Sequence, residues 1–374
     1  MAKPFIPGQD LSRHFYAEAV APLLAERFPG LAHSAALLGW GSDVLGFDSP
    51  RSVDHNWGPR LQVFVGPGDA GRAGEVTTLM AARLPGRFHG WPTVFPDVTQ
   101  GSGPRHGVDV AELGSWLTGQ LGFDPRSEVT LLDWLSVPCQ RLVEVTAGAV
   151  FHDGLGGPGE LGGLGGLGGL GGLEAARAGV AWYPPDVWRY VLACQWARIA
   201  EEEAFPGRCA EAGDELGSRV VTARLARDLM RLCLLMERRY PPYSKWLGSA
   251  FAQLPGAAVI GPALAGAITA GSWPEREQRL CVAYEAIAAR HNELGLTRPV
   301  GPVAGTSFVG FYFDRPFRVL SGGRFGSALR AEITDPAVAR LPVTGAVDQF
   351  IDSTPALGDL AGLRADVAGR LAAG

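Results

Sequence analysis

Lysine is almost missing from this 374-residue chain: Lys3 and Lys245 are the two present, and arginine carries the rest of the basic charge. With a net charge of −5, the sequence lacks the basic excess of a general nucleic-acid binder, so RNA or DNA is disfavoured as a partner. Cysteine is scarce too. Cys139, Cys194, Cys209, Cys233 and Cys281 stand apart with no Cys-x-x-Cys pair, which excludes a disulfide framework or zinc site and fits free thiols in a reducing cytoplasm. The opening MAKPFIPGQD has no apolar core of the signal-peptide type. No Gly-x-x-x-x-Gly-Lys-Ser/Thr phosphate loop, Gly-x-Ser-x-Gly elbow or His-Glu-x-x-His helix occurs. The uncharged run from Leu247 to Trp273 is broken by Pro255 and Pro262 and consists mostly of small residues, so it reads as a buried helix hairpin rather than a membrane span.

What is present describes a soluble globular chain, 47% hydrophobic and 19% charged, long enough for more than one core. Leu11, Phe15, Ala19, Leu23 and Leu24 recur at helical spacing from Asp10 to Gly30, with Asp10 or Ser12 as the cap. LAHSAALLGW reads as a short strand. RLQVFV reads as another, with Leu61, Val63 and Val65 on one face and Arg60, Gln62 and Phe64 on the other. A helix is expected from Glu75 to Pro85, and strands in RFHGWPTVF and HGVDVAEL. From Thr130 the pattern turns helical: Thr130 to Asp153 behind a Thr130–Asp133 capping box, then PPDVWRYVLACQWARIAEEEAF, then a helix whose stripe is Leu216, Val220, Leu225, Leu229, Leu232 and Met236. The expected class is α+β. Residues 1–125 form a mixed α/β domain, 126–297 a helical domain carrying a Gly-rich loop at 154–181, and 298–374 a short mixed segment. In that loop Leu-Gly-Gly repeats four times from Leu161. Gly163, Gly165 and Gly168 match a dinucleotide pattern only because such a triplet must, and no strand precedes them, so a flexible surface loop is expected.

The chemistry-bearing stretch is GWGSDVLGFDSPRSVDHNWGPRLQVFV, Gly39 to Val65. Gly41-Ser42 is followed after eleven residues by Asp54-His55-Asn56, just ahead of the alternating strand. If Asp54 and Asn56 continue that strand, their oxygens share a face, as a metal ion requires; turn residues would look the same. This spacing resembles the nucleotidyltransferase superfamily, which includes DNA polymerase β and antibiotic-modifying nucleotidyltransferases. Its pattern is Gly-Ser, about ten residues, an Asp-x-Asp or Asp-x-Glu pair and a third acid on a later strand.

The resemblance implies a magnesium-dependent transfer of a nucleoside monophosphate from a nucleoside triphosphate, with ATP the expected one, to a hydroxyl or amine of a small-molecule acceptor. Asp54, Asn56 and Asp109 would hold Mg2+, while Gly41 and Ser42 would hold the triphosphate. Magnesium prefers such oxygen ligands. Asn56 departs from the pattern, since it supplies an oxygen without the charge. The alternative is therefore a nucleotide-binding or interaction module that has lost an acidic ligand.

Longer segments, among them QRLVEVTAGAVFHD, PPDVWRYVLACQW, RRYPPYSKWLG and DQFIDST, resemble an uncharacterised bacterial domain-of-unknown-function family described as nucleotidyltransferase-like with an added helical domain. Arg60, on the expected Asp54 face, is a phosphate contact or a solvated arginine. Lys245, set among Tyr240, Tyr243 and Trp246, is a phosphate or acceptor contact or a surface lysine at a helix end. Arg227 and Arg231 read as a solvated helix face. Asp43 and Asp48 read as loop residues, and Glu144 and His152-Asp153 as capping groups or a general base.

Overall fold

The computed structural model describes residues 4–54, 57–95, 105–156 and 171–373. The fold is α+β, with a small mixed sheet in the N-terminal part and helices thereafter. Two compact units divide the chain, one made of 1–133 and 141–181, the other of 134–140 and 182–374.

In the first unit α1 (Gly8–Phe15) and α2 (Ala21–Arg27) are joined by a π-helical turn, Tyr16–Val20. The start of α1 is not capped by its own Asp10 or Ser12. Asp48, from a distant loop, accepts the Gly8 N–H at 2.7 Å and the Trp57 indole N–H at 2.9 Å. The sheet is built from β1 (His33–Leu37), β2 (Leu61–Val65), β3 (Val108–Glu112) and β4 (Ala149–Asp153), in the order β3-β2-β1-β4. β1 is antiparallel to both its neighbours, while β2 and β3 are parallel. Alternation places Leu61, Val63, Val65 and Ala35 in one core with Leu11, Phe15 and Leu24 of α1 and α2 and with Val76 and Met80 of α3 (Ala73–Arg83). On the other face the Phe64 ring lies 5.0 Å from Trp116 of α4 (Leu113–Leu121). RFHGWPTVF forms two-residue strands rather than one, Arg87–Phe88 pairing with Trp91–Pro92 around Gly90.

The stretch 130–153 is not one helix. The Thr130–Asp133 box forms as expected, but it opens only α5 (Leu131–Ser136). Pro138 then separates α5 from α6 (Cys139–Thr146), and the stretch ends in strand β4. Gly148 makes this possible. At φ +71 it takes a conformation that L side chains rarely adopt, and a Cβ there would meet Leu37 O at 2.0 Å. The next helix is α7 (Leu173–Gly179). Most of the Leu-Gly-Gly repeat lies outside the described residues.

The second unit is helical. α8 (Pro185–Glu202) is buried nearly all round, with α9 (Phe205–Glu211) following. In α10 (Glu215–Met236) the stripe holds for Leu225, Leu229, Leu232 and Met236, but Leu216 and Val220 are exposed. Ser218 and Thr222 face inward there instead: Arg276, fully buried, enters from α13 (Trp273–Glu293) and donates to Ser218 Oγ at 2.8 Å and to Glu215 at 2.5 Å, and Thr222 Oγ1 donates to Ser218 O at 2.7 Å. Polar lining suits a buried guanidinium and leucine does not. Leu247 to Trp273 holds most of α11 (Ser244–Ala252) and all of α12 (Ala257–Thr269), which packs on α13. No helix among the described residues is long and apolar enough to cross a membrane.

Two buried titratable groups of this unit oppose one another. Glu203, at the end of α8, accepts N–H groups from Leu320, Ser321 and Gly322 ahead of α14 (Gly323–Ala331). Burial pushes its carboxyl up to about 7, against the pull of those donors. His291 accepts from Trp196 Nε1 at its Nδ1, 3.2 Å away, and burial lowers it to about 4. Glu203 is raised on folding, so its contribution is complete below its free value of 4.5 and is lost as pH rises through about 7. His291 is lowered, so its contribution is complete above 6.5 and is lost as pH falls through about 4. Between 4.5 and 6.5 the slopes cancel. We expect Glu203→Gln to unmask a rise in unfolding free energy of about 3 kcal/mol across that window, and His291→Gln a fall of similar size. Urea denaturation at half-unit pH steps checks both.

Candidate functional site

β1 leaves the sheet at Leu37, the end where β2 and β3 both begin. Three segments therefore meet there: the turn after β1, the approach to β2 and the start of β3. The turn contains Gly39 at φ +84 and Gly41 at φ +140, and it closes by Leu45 N–H to Gly41 O and Phe47 N–H to Ser42 O, 3.3 and 2.8 Å. At its centre Asp43, 2% exposed, takes Arg60 bidentately: Nε to Oδ2 at 3.0 Å and Nη2 to Oδ1 at 2.7 Å. Arg60 Nη2 also donates to Trp40 O at 2.8 Å, and the guanidinium lies over the Trp40 ring, 5.4 Å from its centroid. A Cβ on residue 41 would meet Asp43 Oδ1 at 2.2 Å and Arg60 Nη2 at 2.3 Å, so the ion pair itself demands glycine. Among the described residues nothing accepts from the backbone N–H groups of Gly41, Ser42 and Asp43 or from Arg60 Nη1. Successive N–H groups without an acceptor are donors of the kind that anion sites use.

β3 brings the acid. Leu61 N–H donates to Gly107 O at 2.8 Å, and in the parallel register Gln62 stands beside Asp109, which is exposed. Gln62 is buried, accepting the Leu38 N–H at 2.9 Å and donating to Leu38 O at 3.4 Å, which fixes the chain entering the turn. Burial holds His106 below its ordinary value, while its Thr77 backbone hydrogen bond and the Asp109 carboxylate pull it up.

The structure thus brings Gly41, Ser42, Arg60 and Asp109 to one end of the sheet. Asp54 is not part of the strand: it ends a 3-10 turn, Ser52–Asp54, and the ladder begins only at Leu61. Gly58, at φ +156, and Pro59, which has no N–H to give, break any extended run before it. Asn56 and His55 lie outside the described residues.

Arg60 is not a free phosphate contact, since Asp43 holds one edge of its fork. Lys245 is exposed in the second unit, its Nζ 4.9 Å from the Trp246 ring centroid, whereas Tyr240 is buried against Trp182 and Tyr183. Arg227 and Arg231 are not a solvated face either; they bind Asp352 Oδ2 and Asp348 O, both at 2.8 Å. Asp153 caps α7 through the N–H groups of Leu173 and Glu174. Glu144 pairs with Arg141. The sequence marked Asp43 only as a loop residue and Gln62 only as a strand residue, because their significance lies in partners elsewhere in the chain, Arg60 and Leu38.

Among the described residues no group of three His, Cys, Asp or Glu side chains is placed to hold a metal. The exposed carboxylate of Asp109 fits magnesium in kind, as a hard oxygen donor. The Asp43 carboxylate, committed to Arg60, does not offer itself.

A family profile described as "Domain of unknown function (DUF4037)" matches residues 167–247, from the end of the Leu-Gly-Gly repeat to the start of α11. Comparison with curated proteins and with solved structures found no match.

Proposed function

We propose that the first unit is a magnesium-dependent nucleotidyltransferase site acting on a nucleoside triphosphate and a small-molecule acceptor. The observation that carries this reading is the meeting of the Gly41–Asp43 turn, Arg60 and the exposed Asp109 at one end of the sheet. The unclaimed N–H groups of the turn and Arg60 Nη1 bind the triphosphate. Asp109, Asp54 and Asn56 would hold magnesium, which would supply charge compensation on the phosphates. An acceptor hydroxyl or amine attacks the α-phosphorus; the new O–P or N–P bond forms as the α–β bridging P–O bond breaks and pyrophosphate leaves. Asp109 accepts the acceptor's proton and, being exposed, passes it to water.

Asn56 favours a second reading, in which the site binds nucleotide without turnover because one ligand charge is missing. Calorimetric titration of ATP and the other nucleoside triphosphates, with magnesium and then with chelator, tests the site. The expected result is magnesium-dependent binding that Asp54→Ala and Asp109→Ala each reduce at least tenfold, about 1.4 kcal/mol or more. A folded protein that binds no triphosphate would sink it. Asn56→Asp separates the two readings: a working enzyme adapted to asparagine gains little turnover, whereas a relict site gains metal affinity alone.

A further inference from the structure

Ten tryptophans occur in the chain and Trp40 alone is exposed, with 57% of its surface open to solvent. An indole in water normally seeks a partner, because its large apolar surface is costly to hydrate. Trp40 is instead set between Gly39 and Gly41, both with positive φ, at the lip of the anion-binding turn. One ring face is covered by the Arg60 guanidinium, as the ring quadrupole favours. That guanidinium cannot swing away, being tied to both Asp43 oxygens and to Trp40 O. The indole is therefore a fixed, half-covered ring whose remaining surface faces water. The N–H groups that follow it, on Gly41, Ser42 and Asp43, are the ones with no acceptor among the described residues. An aromatic surface and an anion cradle thus adjoin in four consecutive residues, which matches a ligand with a flat aromatic part joined to a phosphate chain.

We infer that Trp40 is the stacking platform for the base of the bound nucleotide, resting on the reading of the site given above. Every base has a π face, so a stacking platform selects weakly among bases. Fused purine rings offer more overlap than pyrimidines, and ATP and GTP bind more tightly than CTP and UTP.

The test uses the full chain as wild type, Trp40→Ala and Trp40→Phe, titrated calorimetrically in magnesium with ATP, CTP and inorganic tripolyphosphate, which has no base. The expected result is a roughly 5- to 100-fold loss of ATP affinity in Trp40→Ala, unchanged tripolyphosphate binding, and most of the ATP affinity kept by Trp40→Phe. Because the side chain is exposed, the variants fold. ATP binding by Trp40→Ala at wild-type strength overturns the inference and leaves the nucleotide site standing. Equal loss of ATP and tripolyphosphate also overturns it, by showing that the ring only shapes the turn. A wild-type chain that binds neither probe removes the site and the platform together.

Discussion

Replacing Glu203 by alanine is expected to cost about 2–6 kcal/mol of unfolding free energy, a large effect for a single substitution. Its two oxygens accept the N–H groups of Leu320, Ser321 and Gly322 at 2.8, 3.0 and 2.9 Å. Glu203 is 6% exposed, so water does not replace it when the side chain is cut back. Each orphaned buried donor costs about 1–3 kcal/mol, and two are orphaned together, on Leu320 and Gly322, while the Ser321 N–H is only partly buried. Ser321, at φ +58, has no independent preference for that geometry. The carboxylate also sits where the dipole of α14 favours a negative charge. Glu203→Gln keeps one carbonyl oxygen and is expected to lose less. Urea denaturation of both variants, followed by tryptophan fluorescence and far-UV circular dichroism, measures the difference. An alanine variant within about 1 kcal/mol of wild type, the size of a net hydrogen bond, would show that the 320–322 turn holds itself.

Asp43→Ala is expected to destabilise the first unit by about 3–5 kcal/mol, the cost of leaving a buried charge without its partner. Arg60 is 13% exposed at its side chain and would keep only its Trp40 contacts, to the carbonyl and the ring. The double variant Asp43→Ala/Arg60→Met is expected to recover most of that loss, because removing both charges abolishes the desolvation penalty that the broken pair retains. Additive losses in the double-mutant cycle would mean that the two side chains act separately. The pair matters beyond stability, since it holds Gly41 at φ +140 and presents the free N–H groups of the turn. If the turn binds nucleotide as proposed, that affinity falls in Asp43→Ala even at temperatures where the protein remains folded.

Much of the element order was legible because it rests on local periodicity. Alternation identified β2 and its buried residues Leu61, Val63 and Val65; helical spacing identified α3, α8 and the later half of α10; and the Thr130–Asp133 box lies within one turn. The candidate site was legible in part. Gly41, Ser42 and Asp109 could be named through the nucleotidyltransferase resemblance and Arg60 from strand parity, but the strand assigned to Asp54 failed at Gly58-Pro59, where turn chemistry overrode an apparent alternation.

By itself, the sequence determined where hydrophobic faces and caps fall, since those depend on neighbours two to four residues away. Tertiary structure alone decided which polar groups would be buried and with whom. Asp43 meets Arg60 across 17 positions and Glu203 meets Leu320 across 117. It also decided that Ser218 and Thr222, not Leu216 and Val220, would face inward, with Ser218 bound to the buried Arg276. A charged group enters the interior only when its partner is already in place, and no local pattern records a partner supplied by another part of the chain.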